Sequence, residues 1–270
     1  MDETGARHWI DNRDRYDRMY RPVEDALLSA AAIRPGEHVL DVGCGYGTTT
    51  LDAADLARPG TVTGVDVSPA MLETARARAA GDDHVTFVEG DAQTHTFRPP
   101  SCDVVLSRFG LMFFADPVAA FVNLRRATRP GGRLAFIAWR SPRHQPWLCV
   151  PGAAAAHALG VPVPDLAEGD GPGMFSLADE GRARSVLVAA GWTEVEVEPV
   201  TVPLLVGGGG TVEDAVTFLR TGTLGRRLLD GVDVDTGARA LAEVRAALAP
   251  HTHPDGVRLD AGVWLVRARA

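Results

Sequence analysis

The chain has 270 residues, 46% hydrophobic and 23% charged, a length and composition that bury a full core without disulfide or metal staples. Every one of its 27 basic residues is arginine, which excludes a Schiff-base lysine and the lysine of a P-loop. With 35 acids and a formal charge of −8, it lacks the basic footprint that nucleic acid demands, and a small-molecule partner is expected instead.

Residues 1–34 read as a helical lid. Arg7 to Tyr20 is an amphipathic segment carrying Trp9, Tyr16 and Tyr20, and Pro22 to Ala32 is a helix entered after a proline. The first twenty residues have no apolar run of the secretory type, and no stretch of about 18 uninterrupted apolar residues occurs, so a cytoplasmic protein without membrane partners is expected.

Residues 35–140 alternate short Val/Leu-rich runs with amphipathic stretches, the rhythm of β-α units around a parallel sheet. Strands are expected at His38–Val42, Val62–Val65, His84–Val88, Asp103–Leu106 and Arg133–Ala138. Between them Met71, Leu72, Ala75 and Ala79 share one helical face, as do Val118, Phe121 and Val122.

Residues 141–176 and 207–250 read as cap insertions over the sheet's carboxyl edge, with helices around Cys149–Leu159, Thr211–Leu229 and Thr236–Leu248 and a flexible connector at Gly207–Gly210. Residues 177–206 and 251–270 supply a helix, Leu177–Ala190, and two late strands, Trp192–Glu198 and Val257–Arg267, whose antiparallel pairing would complete the sheet. The whole is one domain, α/β in class. Cys44, Cys102 and Cys149 are far apart and form no C-x-x-C pair, so neither a disulfide framework nor a metal site is expected.

The most informative stretch is Val39–Gly47, a strand running into Gly43, Gly45 and Gly47. Glycines there let the backbone turn sharply and approach a ligand. An ordinary strand-to-helix turn or a phosphate site would use them too. The dinucleotide fingerprint, however, needs its third glycine where Thr48 stands. Moreover Asp41, Asp66 and Asp91 stand at the ends of three successive strands, where their carboxylates would repel a diphosphate. Such a crevice suits a cation bearing hydroxyls and an exocyclic amine. Asp66 is placed for a ribose diol, Asp91 for an adenine amine and Asp41 for an ammonium group.

These residues resemble the class I S-adenosylmethionine-dependent methyltransferases, of the quinone-biosynthesis or bacterial secondary-metabolite type. The likeness runs in order through Val39–Gly47, Gly64–Ser68, Glu89–Ala92, Cys102–Val105 and Arg129–Leu134. It implies a Rossmann-like, mostly parallel seven-stranded sheet with helices on both faces and an antiparallel last strand. It also implies S-adenosyl-L-methionine as cofactor, with the three glycines at its methionine moiety, Asp66 on the ribose, Asp91 with Ala92 at the adenine, and Val67 among the cofactor-binding residues. Met71 would edge the adenine or belong to the core. Arg108, an arginine at an apolar strand end, reads as cofactor-facing or structural.

Methyl transfer mainly requires the nucleophile to be held near the methyl carbon and water to be excluded. Trp9, Tyr16, Tyr20, Phe109, Met112, Phe113 and Trp139 are the candidate acceptor-binding residues, with core or lid packing as the plainer reading of several. Tyr16 and His144 are the candidate bases. The segment Ser107–Gly110 lacks the Asn/Asp-Pro-Pro-Tyr/Phe motif of the DNA amine methyltransferases and the aspartates of the metal-dependent catechol enzymes, so the resemblance implies neither DNA nor a metal. The acceptor is expected to be a small, mostly apolar metabolite, aromatic or isoprenoid-like, methylated at O, N or C, an indole carbon being the narrowest guess. The alternatives are a cofactor-binding protein without methyl transfer and, further off, an NAD-dependent oxidoreductase. The protein is expected as a monomer or homodimer.

Overall fold

The computed structural model describes residues 3–97, 101–166 and 171–270; residues 1–2 of the expected lid and 167–170 of the expected insertion lie outside the described residues. Three helices come first: α1 (Glu3–Asp11), α2 (Arg13–Met19) and α3 (Arg21–Ala31). The sheet and its helices follow as β1 (His38–Val42), α4 (Thr48–Ala57), β2 (Thr61–Asp66), α5 (Pro69–Arg78), β3 (Val85–Glu89), β4 (Cys102–Arg108), α6 (Pro117–Ala127) and β5 (Thr128–Trp139). The chain closes with α7 (Pro146–Leu159), α8 (Glu180–Ala189), β6 (Thr193–Leu205), α9 (Val212–Thr221), α10 (Thr223–Leu229), α11 (Val234–Leu248), β7 (Thr252–His253) and β8 (Gly256–Arg269).

Seven strands lie in the order β3-β2-β1-β4-β5-β8-β6, and the short β7 pairs only with β8. The first five are mutually parallel, while β8 runs antiparallel to both β5 and β6. The expected Rossmann-like sheet with its antiparallel insertion is therefore present. Its strand order reverses between β1 and β4, and a crevice at the carboxyl ends of those two strands is where open α/β sheets bind ligands. Val39, Leu40, Val104, Val105, Leu106 and the run Leu134–Trp139 are buried on both sheet faces, as continuous apolar strands require.

Local chemistry explains most boundaries. Ser68, Asp116, Asp179 and Asp233 cap α5, α6, α8 and α11 by accepting a backbone N–H, and Thr211 with Asp214 forms a capping box on α9. On the outer strand β6, Glu194, Glu196 and Glu198 are exposed and Pro199 and Pro203 leave the edge without two donors, which protects it from pairing with another chain.

Three expectations need correction. The segment Arg7–Tyr20 is two helices broken at Asn12, and Thr211–Leu229 is two helices broken at Gly222. The glycine run 207–210 is no loose connector: all four residues have positive φ, Gly207 and Gly208 are buried, and the Gly208 carbonyl accepts a 2.7 Å hydrogen bond from Arg18 Nε of α2. A Cβ on Gly208 would stand 2.6 Å from the Arg15 carbonyl oxygen, so only glycine allows this joint. Among the described residues, no helix is long and apolar enough to cross a membrane.

Candidate functional site

The site begins where β1 ends. Gly43, Gly45 and Gly47 have φ of 69°, 55° and 86°, so the loop curls through left-handed backbone before α4 starts at Thr48. The turn after β4 presses directly on it. A Cβ on Gly43 would fall 2.7 Å from the Gly110 Cα, and Ser107, buried at the end of β4, donates a 2.6 Å hydrogen bond to the Val42 carbonyl. The Gly110 N–H donates to the same Ser107 hydroxyl at 3.1 Å. One serine thereby locks together the two strand ends that flank the switch point.

Asp66 closes the other side of the loop. Its carboxylate accepts the Gly45 N–H and the Ser68 N–H, both at 2.9 Å, and each oxygen retains capacity for a further donor. Next to it Val67 is an exposed apolar side chain at 55%. Asp91 accepts the Gln93 N–H at 2.9 Å, and buried Ala92 offers its carbonyl to Asn123. Asp66, Val67, Asp91 and Ala92 follow the ends of the paired strands β2 and β3, as the sequence pattern implied. Met71 is 2% exposed and packs with Ala6 and Tyr46 beneath α1, so here it is a core side chain.

Beneath the loop lies a buried charged group. Asp41 is 1% exposed and accepts a 2.7 Å hydrogen bond from Thr50, while its Oδ1 has no partner among the described residues. Burial lifts its pKa to about 7 against the pull of the Thr50 hydrogen bond. Glu24 of α3 is equally buried, accepts from Thr49 at 2.9 Å and pairs with Arg108 of β4 at 2.9 Å. Its Oε1 is likewise without a partner among the described residues, and burial raises its pKa. Arg108 also stands 6.0 Å from the centroid of the Tyr20 ring. Glu24 was not singled out from sequence, although it falls on the apolar stripe of Tyr20, Val23, Leu27 and Ala31. An acid on that stripe was the available signal.

Above this group the candidate acceptor-binding rings form one row. Trp9 stacks on Tyr16 with centroids 3.8 Å apart, Tyr16 lies 5.8 Å from Tyr20, and Tyr20 meets Phe109 at 5.6 Å and Trp139 at 5.9 Å. Phe109 stacks on Trp139 at 4.0 Å. Phe109 holds φ 65°, an uncommon conformation for a bulky residue, which indicates that its ring position is imposed by the surrounding structure. Phe218 of α9 and Trp147 of α7, neither singled out from sequence, join the row at Tyr16 and Trp139.

Other candidates stand apart from the row. Met112 is buried, and its sulfur accepts the Trp139 N–H at 3.5 Å. Phe113 is 58% exposed. His144, in the turn after β5, accepts from Arg143 Nε at 3.2 Å and has Arg140 Nη2 at 3.3 Å, and burial and these two cations hold its pKa low. Tyr16 is pushed up to about 12 by burial, so its phenol keeps its proton near neutrality. Its hydroxyl lies 3.1 Å from His8 Nε2, whose pKa burial lowers. Among the described residues, no group of three or more His, Cys, Asp or Glu is arranged to hold a metal.

These features fit the cofactor that the sequence implied. Asp41 and Glu24 offer unpartnered buried carboxylate oxygens, Arg108 a buried cation, Asp66 acceptor capacity toward a diol, and the glycine loop a surface without side chains. Comparison with known proteins agrees. Residues 40–136 match the family model described as a methyltransferase domain. The chain is 33% identical over 187 residues to nocamycin O-methyltransferase of Saccharothrix syringae, covering 65% of this chain and 66% of that one. It is 38% identical over 117 residues to demethylmenaquinone methyltransferase of Clavibacter sepedonicus, covering 43% and 47%. A crystal structure of a Bacillus halodurans protein superposes with a TM-score of 0.57 at 17% identity, over 91% of this chain and 97% of that one, which shows the shared fold. The chain spans about half the length of most of the curated relatives it matches. Its glycine loop and strand-end acids all fall within residues 40–136, and that stretch matches a methyltransferase domain of the kind that the class I S-adenosylmethionine-dependent methyltransferases carry.

Proposed function

We propose that the protein transfers a methyl group from S-adenosylmethionine to an O, N or C nucleophile on a small, mostly apolar and aromatic acceptor. The observation that carries this reading is the adjacency of two differently built surfaces: a buried charged group at the end of β1 and an aromatic row over the ends of β4 and β5.

The bound cofactor supplies an electrophilic methyl group. Asp41 and Glu24 would meet its ammonium group, Arg108 its carboxylate, and Asp66 its ribose, with Val67, Asp91 and Ala92 at the adenine. Ser107 sets the distance between the glycine loop and the Phe109 turn, which fixes the acceptor's wall relative to the cofactor's floor. Tyr20, Phe109 and Trp139 present ring faces that exclude water and hold a planar acceptor in place. Tyr16 stays protonated, so it orients the acceptor by donating a hydrogen bond and does not itself take a proton.

Calorimetric titration tests the first half, with S-adenosylhomocysteine expected to bind and NAD not to bind. Labelled cofactor and a panel of phenols, indoles and quinones test the second. Cofactor binding without label transfer to any acceptor would favour a protein that holds the cofactor for another purpose, and no binding at all would overturn both readings.

A further inference from the structure

The glycine loop carries a freedom that the site has to remove. Gly45 and Gly47 flank Tyr46, both with positive φ, and glycine loses more conformational freedom on ordering than any other residue. A loop already held in its binding shape avoids that loss when the cofactor arrives. The hold comes from a helix that does not adjoin the loop in sequence.

Helix α5 grips the loop with one stripe of its surface. Met71, Ala75 and Arg78 stand at i, i+4 and i+7, which places them on one face. Met71 packs with Tyr46, and a Cβ on Gly47 would lie 3.1 Å from the Cβ of Ala75. Arg78 adds the polar contacts. Its Nη1 donates to the Tyr46 carbonyl at 3.0 Å and to the Thr48 hydroxyl at 2.8 Å, and its guanidinium carbon lies 5.4 Å from the centroid of the Tyr46 ring. The peptide between Tyr46 and Gly47 is thereby held at both ends, because the Gly47 N–H donates to the Cys44 carbonyl at 3.0 Å.

Asp17 of α2 fixes the guanidinium in turn. Its carboxylate accepts from Arg78 Nη2 at 3.2 Å and from the Thr48 hydroxyl at 2.8 Å. A planar fork serves three acceptors on two elements here, which the single nitrogen of an ammonium group matches poorly. Among the described residues, Arg78 forms no hydrogen bond with Asp66, Val67, Asp91 or Ala92, so its grip falls on the loop and not on the nucleoside side of the crevice.

We infer that Arg78 is a positioning residue which, acting through the Tyr46 carbonyl and Thr48, shapes the glycine loop for the amino-acid half of S-adenosylmethionine and so gives the site its preference for ligands that carry that half. This rests on the methyltransferase reading above and deepens it by dividing the cofactor's affinity between two halves of the site.

The test compares two probes, S-adenosylhomocysteine and 5′-methylthioadenosine, which share the thioether nucleoside and differ in the amino-acid tail. Both are titrated calorimetrically into the full chain and into Arg78→Met, which keeps an unbranched stem and removes the donors. The variant is expected to bind S-adenosylhomocysteine about tenfold more weakly while its methylthioadenosine affinity stays within twofold of the parent. Arg78→Lys, which keeps a charged donor, should recover part of the loss, and Asp17→Asn should show a smaller loss of the same kind. A general loosening of the fold would weaken both probes alike, so the ratio of the two affinities separates positioning from bulk stability. Equal weakening of both probes, unchanged S-adenosylhomocysteine affinity in Arg78→Met, or a parent that binds S-adenosylhomocysteine but not methylthioadenosine at millimolar concentration would each overturn the inference. Failure of the methyltransferase reading shows separately, as a parent that binds neither probe.

Discussion

Replacing Asp41 by asparagine should stabilise the cofactor-free protein at neutral pH while weakening its hold on the cofactor. The carboxyl group is 1% exposed, with one hydrogen bond from Thr50 and an Oδ1 that meets no donor. Burial is the largest cause of its rise from 3.8 to about 7, and the negative charge of Glu24 adds to it. Below about pH 4 the folded and unfolded chains both keep this proton. Between there and pH 7 the unfolded chain ionises first, so the folded chain binds more protons and its stability falls as pH rises. Above pH 7 both are ionised and the loss is constant. At about 1.4 kcal/mol per pKa unit the loss reaches at most about 4 kcal/mol.

Asparagine keeps an acceptor for Thr50 and does not ionise. The stability difference between variant and parent should therefore grow in the variant's favour by about 2–4 kcal/mol between pH 4 and pH 8. Urea denaturation of both proteins without cofactor at pH 4, 6 and 8 measures it, because most other groups titrate alike in the two. Calorimetry on the same variant should show S-adenosylhomocysteine affinity reduced by about tenfold, a charge-assisted hydrogen bond of about 1.4 kcal/mol. A difference that does not change with pH, or a parent more stable than the variant at pH 8, would refute the assignment of a costly buried carboxyl at this position.

Three further outcomes follow from the same geometry. Glu24→Ala leaves Arg108 buried without its partner and Thr49 without an acceptor, so it should cost about 3–5 kcal/mol in urea denaturation, and a double-mutant cycle with Arg108→Ala should recover part of that loss. Asp66→Ala removes the acceptor for the Gly45 and Ser68 amides as well as the one proposed for the ribose, so cofactor binding should weaken by about 1–3 kcal/mol in calorimetry, and unchanged affinity would remove Asp66 from the site. His8, lowered by burial, should titrate below 6.5 by NMR and stay neutral at pH 7; acidification below that value should lower stability, since the unfolded chain then takes up the proton more readily.

The ligand-binding half of the sheet was the legible part of the sequence. Its central strands β1 and β4 are buried on both faces, so they appear as nearly uninterrupted apolar runs, and the glycines at 43, 45 and 47 mark a loop whose backbone only they adopt with ease. Strand ends were less legible. Strand β6 extends well beyond Trp192–Glu198, to Leu205, because its long antiparallel neighbour β8 supplies hydrogen-bond partners that no local pattern encodes, and β5 begins at Thr128, where Cys102 of β4 pairs with it ahead of the expected Arg133. Breaks in helices were missed where the breaker was mild, an asparagine at 12 and a glycine at 222. The buried partnership of Glu24 with Arg108 joins residues 84 positions apart, α3 to β4, and only the packing of α3 over the sheet brings them together. Trp9, Tyr16, Tyr20, Phe109 and Trp139 of the aromatic row were identified residue by residue and Phe218 and Trp147 were not, and the order of the row depends on how α1 and α2 fold back, which amphipathicity does not fix.

The same packing implies an uneven stability among the three N-terminal helices. Helix α3 is tied down by Glu24 to Arg108 and by Arg133, which donates to the Ala31 and Ala32 carbonyls at 2.6 Å each. Helix α2 is held by Arg18 to Gly208 and by Asp17, which accepts from Thr48 at 2.8 Å and pairs with Arg78 at 3.2 Å. Helix α1 has a smaller anchor, a cluster of Ala6, Tyr46 and Met71 with half-buried Trp9 and Ile10, together with the His8 to Tyr16 contact. It also covers Tyr46 and Met71, close to the glycine loop. Hydrogen exchange read by mass spectrometry should therefore find the amides of residues 5–11 opening well before those of 13–31, and saturating S-adenosylhomocysteine should slow them selectively if α1 closes over an occupied loop. Protection of α1 equal to that of α3 without cofactor would show that this helix is a fixed wall.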